Sequence, residues 1–165
     1  MKHAVRSAGT LLLMGTLVMG TGFAVCAEEE VVEPAGYHVY ENTDDYASDT
    51  WYGIARGTYL KSGTCSLTKK DSTHAIAAGS TTAHSKCDKV YVRVYLDESS
   101  TGKSGSWGTV DYWTGTAYNA TYATVTGDPY KITKNKYYRA TGAHSVTEGT
   151  TTEATDTTSN SLKFN

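Results

Sequence analysis

Proline and helical periodicity are both scarce in this chain of 165 residues. The only prolines are Pro34 and Pro129. Beyond the N-terminal segment, no window of about a dozen residues places apolar side chains at the three-and-four spacing of an amphipathic helix. Large aliphatic residues are also few, so the 13 tyrosines and three tryptophans must supply much of the core. The sequence therefore predicts a body built of β-strands.

Clusters of basic residues are lacking too. Lys69 and Lys70 form the one basic doublet of the body. Without residues 1–27 the chain has 13 basic and 17 acidic residues, a formal net charge of −4. Nucleic acids and anionic lipids are bound through basic patches. We therefore expect neither nucleic acid nor, after removal of the N-terminal segment, a membrane as partner.

The sequence shows no arrangement typical of catalysis. Asp97 and Glu98 are neighbours, so on a strand they point to opposite faces. No serine lies in a G-x-S-x-G elbow and no glycine-rich phosphate loop is present. The oxygen-rich segment 42–49 lacks the glycine of a calcium loop and reads as a polar loop. We expect no enzyme activity, no cofactor and no metal site.

The N-terminus has the pattern of a secretory signal peptide. Lys2 and Arg6 precede an apolar run, which is followed by the small-residue sequence VCA and by EEE. This predicts a signal peptide over residues 1–27, cleavage after Ala27 and a secreted, extracellular protein. A retained membrane anchor is the first alternative. Lipidation of Cys26 is the second, although Val25 stands where that processing needs a small residue.

Two cysteines, Cys65 and Cys87, remain after cleavage. In an oxidising exterior such a pair predicts one disulfide, which would stabilise the fold by about 3 kcal/mol. The alternative is a metal site that uses Cys87 with His84 and His74, but a structural zinc site needs about four such ligands.

Turn-bounded runs of β-branched and aromatic residues predict about seven or eight strands in an antiparallel β-sandwich. Residues 28–54 are predicted to be an acidic lead-in followed by an irregular segment or edge strand, and residues 55–165 the sandwich domain. A polar surface loop is expected over about 148–161. The predicted strands are 54–61, 65–69, 73–78, 89–97, 106–113, 117–125, 136–146 and a short strand near 162–164.

The strand KVYVRVYLD (89–97) has two different faces. Its valines and Leu96 predict a core face. Tyr91, Arg93 and Tyr95 form the other face, which either contacts a second layer or is an exposed binding surface, since aromatic residues and arginine are frequent at contact surfaces. Trp107 and Trp113 on the next strand are further candidate binding residues, with burial in the core as the favoured reading.

Two stretches carry a resemblance: AAGSTTAHSKCDKVYVRVYLDES (77–99) and KYYRATGAHSV (136–146). They resemble a family of small secreted proteins of unknown function from Gram-positive, clostridial-type bacteria. Residues 94–107 and 137–142 also look like fibronectin-type and immunoglobulin-like sandwiches, which implies that fold. The resemblance implies no activity.

We therefore predict a secreted, non-catalytic module for an extracellular glycan or protein. A bacteriocin-like antagonist and a small secreted hydrolase are the alternatives.

Overall fold

The computed structural model describes residues 30–54 and 59–165. In these ranges every regular secondary-structure element is a β-strand. The all-β prediction is confirmed. The predicted signal peptide, Cys26 and Ala27 lie outside the described residues. The strands are β1 (Glu30–Val32), β2 (Gly36–Asn42), β3 (Tyr46–Gly53), β4 (Leu60–Asp71), β5 (His74–Ser99), β6 (Gly108–Thr126), β7 (Tyr130–Lys131), β8 (Lys136–Glu148), β9 (Thr151–Thr158) and β10 (Leu162–Phe164). No helix in these ranges is suited to cross a membrane.

All ten strands belong to one sheet, whose main order is β1-β9-β8-β5-β4-β3-β2. β6 and β7 pair with β5, and β10 pairs with β8. Every pairing is antiparallel except that of β1 with β9, which is parallel. The sheet is therefore mixed.

The sheet curls because its longest strand, β5, bends so that its later part packs against its first part. The first part of β5, from His74 to Ala83, pairs with β4, and the later part, from Lys89 to Ser99, pairs with β8. The pairing with β6 shifts register between Thr82 and Cys87, as at a β-bulge that bends a strand. Gly79 in the first part packs against the side chains of Val92 and Val94 in the later part. The result is a half-barrel with the core inside the curl.

The predicted antiparallel sandwich is not confirmed. β5 and β6 both run through the bend, so hydrogen bonds connect the two halves into one sheet instead of two separate ones. The separately predicted strands 73–78 and 89–97 are parts of β5. The predicted loop over 148–161 is wrong as well, because β9 occupies much of it.

The aliphatic face of β5 is buried as predicted: Val90, Val92, Val94 and Leu96 have no exposed surface. Two groups of buried side chains fill the half-barrel. One includes Cys65, Leu67, Val94 and Tyr138. The other includes Trp51, Leu60, Cys87, Val90 and Val92.

The predicted disulfide between Cys65 and Cys87 is not formed; both are buried free cysteines in different parts of the core. Cys65 pairs with Gly79, whereas Leu60 pairs with Ala83 and Cys87 lies beyond. The five residue steps from Leu60 to Cys65 already span about 16 Å of strand, and a disulfide joins Cα atoms less than about 7 Å apart. Burial raises the pKa of Cys65 to about 11, so its thiol stays protonated.

A polar cluster also lies inside the half-barrel, around the buried His144. Its Nδ1 lies 2.9 Å from the Thr81 hydroxyl and its Nε2 lies 2.8 Å from the Thr157 hydroxyl. Because Thr81 donates its own hydrogen to the Tyr91 carbonyl, Nδ1 donates to Thr81 and Nε2 accepts from Thr157. Gly63 leaves the space that the imidazole ring fills. Burial lowers the pKa of His144 to about 4, so the ring is neutral.

Candidate functional site

The outer face of β5 presents Tyr91, Arg93 and Tyr95 next to one another. These side chains alternate with the buried valines and are each partly exposed. In the neighbouring strand β6, Tyr112 lies directly opposite Tyr95, and their ring centroids are 6.2 Å apart. We call these four residues the arginine–tyrosine cluster.

Arg93 lies among the three rings of this cluster. Its guanidinium carbon is 5.9 Å from the centroids of both Tyr91 and Tyr95 and 5.3 Å from that of Tyr112. These distances fit cation–π attraction. Nη1 also donates a long hydrogen bond of 3.5 Å to the Tyr95 hydroxyl. That hydrogen bond, followed by attraction to Tyr91, holds the pKa of Arg93 above its usual value, so the site keeps a fixed positive charge.

The Nε atom of Arg93 is covered and has no hydrogen-bond acceptor among the residues that the structure describes. An arginine that supports the fold usually has its nitrogens paired with carboxylates or carbonyls. Here the tyrosine rings supply most of the described contacts. Arg93 is therefore held by the three tyrosine rings and the Tyr95 hydroxyl.

A shallow trough lies beside the cluster because the neighbouring strands carry small side chains. Ser145, Ala143 and Thr141 of β8 lie opposite Tyr91, Arg93 and Tyr95. On β9 the corresponding positions are Ala154, Asp156 and Thr158. The small residues of β8 and β9 form the floor of the trough, and the tyrosine rings form its wall. The exposed carboxylate of Asp156 lies on the far side from the tyrosines.

Two depressions lie along this trough. One, of about 430 Å³, is lined by Tyr91, Ser145 and Ala154, with Val31 and Glu33 at one end. The other, of about 250 Å³, is lined by Tyr95, Thr141 and Thr158. Both are also lined by Ala143 and Asp156, so they are adjacent.

A third depression, of about 540 Å³, lies around Trp107 and Arg139. The guanidinium carbon of Arg139 lies 4.4 Å from the Trp107 ring, and its Nε donates to Asp97 over 3.2 Å. Asp97 also accepts a hydrogen bond of 2.8 Å from the Thr109 hydroxyl. The remaining lining is polar or small: Gly102, Ser104, Gly105, Ser159, Asn160 and Ser161.

The candidate binding residues from the sequence are thus brought together only in part. Tyr91, Arg93 and Tyr95 form one cluster, and Trp107 lines the third depression. Trp113 lies opposite Val94 and packs against the core, away from this face.

Three contributing residues were missing from the sequence prediction. Tyr112 belongs to the cluster because of strand register. Arg139 lines the third depression, although its YYR motif (137–139) was noted for another reason. Asp156 lies in the segment that was predicted to be a loop.

The carboxylates considered for catalysis are occupied by structural contacts. Asp97 holds Arg139, whereas Glu98 is hydrogen-bonded to Lys136 and Tyr138. Burial raises the pKa of Glu98, but these hydrogen bonds outweigh it and the net pKa lies below the usual value.

The segment 42–49, considered above as a calcium loop, is arranged for other contacts. Asp49 is buried and pairs with His38 at 2.9 Å and with the Thr158 amide at 2.7 Å. Over residues 30–54 and 59–165, no group of three or more histidine, cysteine, aspartate or glutamate side chains is placed to hold a metal.

Comparison with known proteins identifies a family. A model described as a family of unknown function, DUF6147, matches residues 25–162. The chain belongs to the DUF6147 family. No curated protein and no solved structure matches it. The DUF6147 assignment agrees with the predicted resemblance to a family of unknown function, while secretion and bacterial origin stay predictions. For this DUF6147 member, function has to be argued from the geometry of the outer face.

Proposed function

We propose that the protein is an exported, non-catalytic module that binds glycans through the arginine–tyrosine cluster and the adjoining trough. The observation that carries this proposal is the position of Arg93 among three tyrosine rings on an otherwise small-residue face. Export rests on the signal-peptide pattern of residues 1–27.

The chemistry of the face suits a sugar. Flat aromatic rings pack against the C–H faces of sugar rings, and they lose little conformational entropy on binding because few torsions are ordered. Asp156 offers acceptors to sugar hydroxyls, and Ser145 and Thr141 offer groups that donate and accept. The tyrosine rings and the Tyr95 hydroxyl already restrain Arg93, so binding does not have to order it.

Binding is favoured over hydrolysis by the state of the carboxylates. A glycosidase needs two carboxyl groups that flank one bond. Asp97 and Glu98 point to opposite faces and each is paired with a cation. In the trough, Asp156 lines both depressions and Glu33 lines the end of the first, so the second depression has one carboxylate.

The first prediction concerns Tyr91→Ala combined with Tyr95→Ala. We expect the double variant to lose at least about tenfold in retention on a glycan array, because two stacking surfaces disappear. Its melting temperature should change by less than about 4 °C, since both rings lie on the outer face.

The matched control is Tyr122→Ala. Tyr122 is 49% exposed and lies opposite Thr82, away from the trough. It should retain glycans like the wild type. Retention of the wild type on no glycan, or equal retention of the double variant, would contradict the proposal.

A further inference from the structure

The three depressions follow one another along β8, and together we call them the groove. The first two are both lined by Ala143 and Asp156. Thr158 lines the second and its chain neighbour Ser159 lines the third. The floor runs from Ser145 through Ala143 and Thr141 to Arg139, which is six residue steps or about 20 Å of strand. A single sugar ring does not fill such a length.

Each depression is lined by one aromatic ring: Tyr91 in the first, Tyr95 in the second and Trp107 in the third. A row of aromatic rings along the groove suits a linear ligand that is built of repeating units. The other lining groups are mainly hydroxyls, amides and small side chains.

The charges of the groove count against a polyanionic ligand. Arg139 is paired with Asp97. Arg93 belongs to the cluster beside the trough, and the first depression of the trough is lined by the carboxylates Asp156 and Glu33. These residues comprise two cations and three carboxylates, so the groove has no excess of positive charge. A polyanion would lack the cationic surface that it requires.

An extended peptide fits less well. Peptides that bind sheets in extended form add a strand at a free edge. Along the groove β5 is paired with β6 and β8 on its two sides, and β8 is paired with β5 and with β9 or β10. The main-chain groups of β5 and β8 are therefore not available to a peptide, and the outer edge of β9 is paired with β1 over residues 151–153.

We propose that the groove binds a neutral, linear polysaccharide across at least three consecutive sugar rings, with Trp107 stacked on the ring at one end. This inference rests on the proposed glycan-binding function and extends it to the form of the ligand. It also gives Trp107 a separate role from the arginine–tyrosine cluster, because the two act on different rings of the same chain.

The test is calorimetric titration of the full-length protein with β-1,4-linked oligomers of glucose, xylose, mannose and N-acetylglucosamine, from disaccharide to hexasaccharide. In the series that binds, the affinity should rise at least about tenfold between disaccharide and tetrasaccharide. Trp107→Ala should remove that rise, while Trp107→Phe should keep most of it. Tyr122→Ala serves as the control.

The outcomes separate this inference from the function on which it rests. Binding that does not depend on chain length, or a Trp107→Ala variant that equals the wild type on long oligomers, overturns the extended groove alone. Absence of binding to every oligomer, or binding of extended peptides in their place, overturns the glycan proposal with it. Circular dichroism melts show whether each variant is folded.

Discussion

At the scale of single residues, the outer face depends on what distinguishes arginine from lysine. Arg93 contacts three tyrosine rings at 5.3 to 5.9 Å. A planar guanidinium group can stack on several ring faces, whereas an ammonium group acts as a strongly hydrated point charge. The side chain therefore aligns Tyr91, Tyr95 and Tyr112 as much as it supplies charge.

Replacement of Arg93 by lysine tests this view. We expect Arg93→Lys to keep the charge but weaken glycan binding about tenfold, because the rings lose the flat group between them. Thermal stability should change little, since the site is on the surface. The measurement is retention on the same glycans, with Lys61→Ala as a charge-removing control on the exposed surface of β4. Equal binding by Arg93→Lys would show that charge alone suffices.

At the scale of elements, β8 and β9 are joined to β4 and β5 through His144. The imidazole ring bonds to Thr81 of β5 and Thr157 of β9 and fills the space beside Gly63 of β4. Its pKa of about 4 in the folded protein lies below the ordinary value of 6.5. Because protons then bind preferentially to the unfolded chain, this contribution to stability is complete above pH 6.5 and is lost as the pH falls toward 4.

Denaturant unfolding at several pH values measures this effect. Between pH 7 and pH 4 the wild type should lose up to about 3 kcal/mol more than His144→Gln, since glutamine does not titrate. The exposed His84 supplies the control His84→Gln, which should follow the wild type. Identical pH profiles for the wild type and His144→Gln would contradict the buried neutral histidine.

The same elements show how far the sequence determines the fold. The alternation of valines with Tyr91, Arg93 and Tyr95 is a local signal, and the structure follows it. β9 was missed because TTEATDTT looks like a polar loop. Its threonines are β-branched, and Thr157 points inward to His144 across strands that are distant in sequence. Asp156 could not be assigned to the face without that strand.

The bend in β5 was hidden for a related reason. AHSKCD has turn composition, but the strand continues through it, and β6 pairs with β5 both before this segment, at Thr82, and again at Cys87. The disulfide prediction failed at the same place. A spacing of about twenty residues allows a bridge, whereas the register places Cys65 and Cys87 far apart along β4 and β5.

At the scale of the whole molecule, the curl of one sheet produces an inner surface that forms the core and an outer surface that carries the candidate site. The inner surface buries the aliphatic residues of β5 together with His144 and Cys65. The outer surface of the β5–β8–β9 half carries the cluster and the groove. Successive side chains of β5 point alternately to the two surfaces, so a core residue and a residue of the outer face stand next to each other along this strand.

The most direct test of the account is an NMR titration of the isotope-labelled protein with the oligosaccharide panel. The account predicts that a binding oligomer shifts the amide signals of Tyr91–Tyr95, Arg139–Ser145 and Ala154–Ser159, together with the Trp107 indole signal, and leaves β2 and β3 unchanged. Shifts centred on β2 and β3, or no shift with any oligomer, would contradict it.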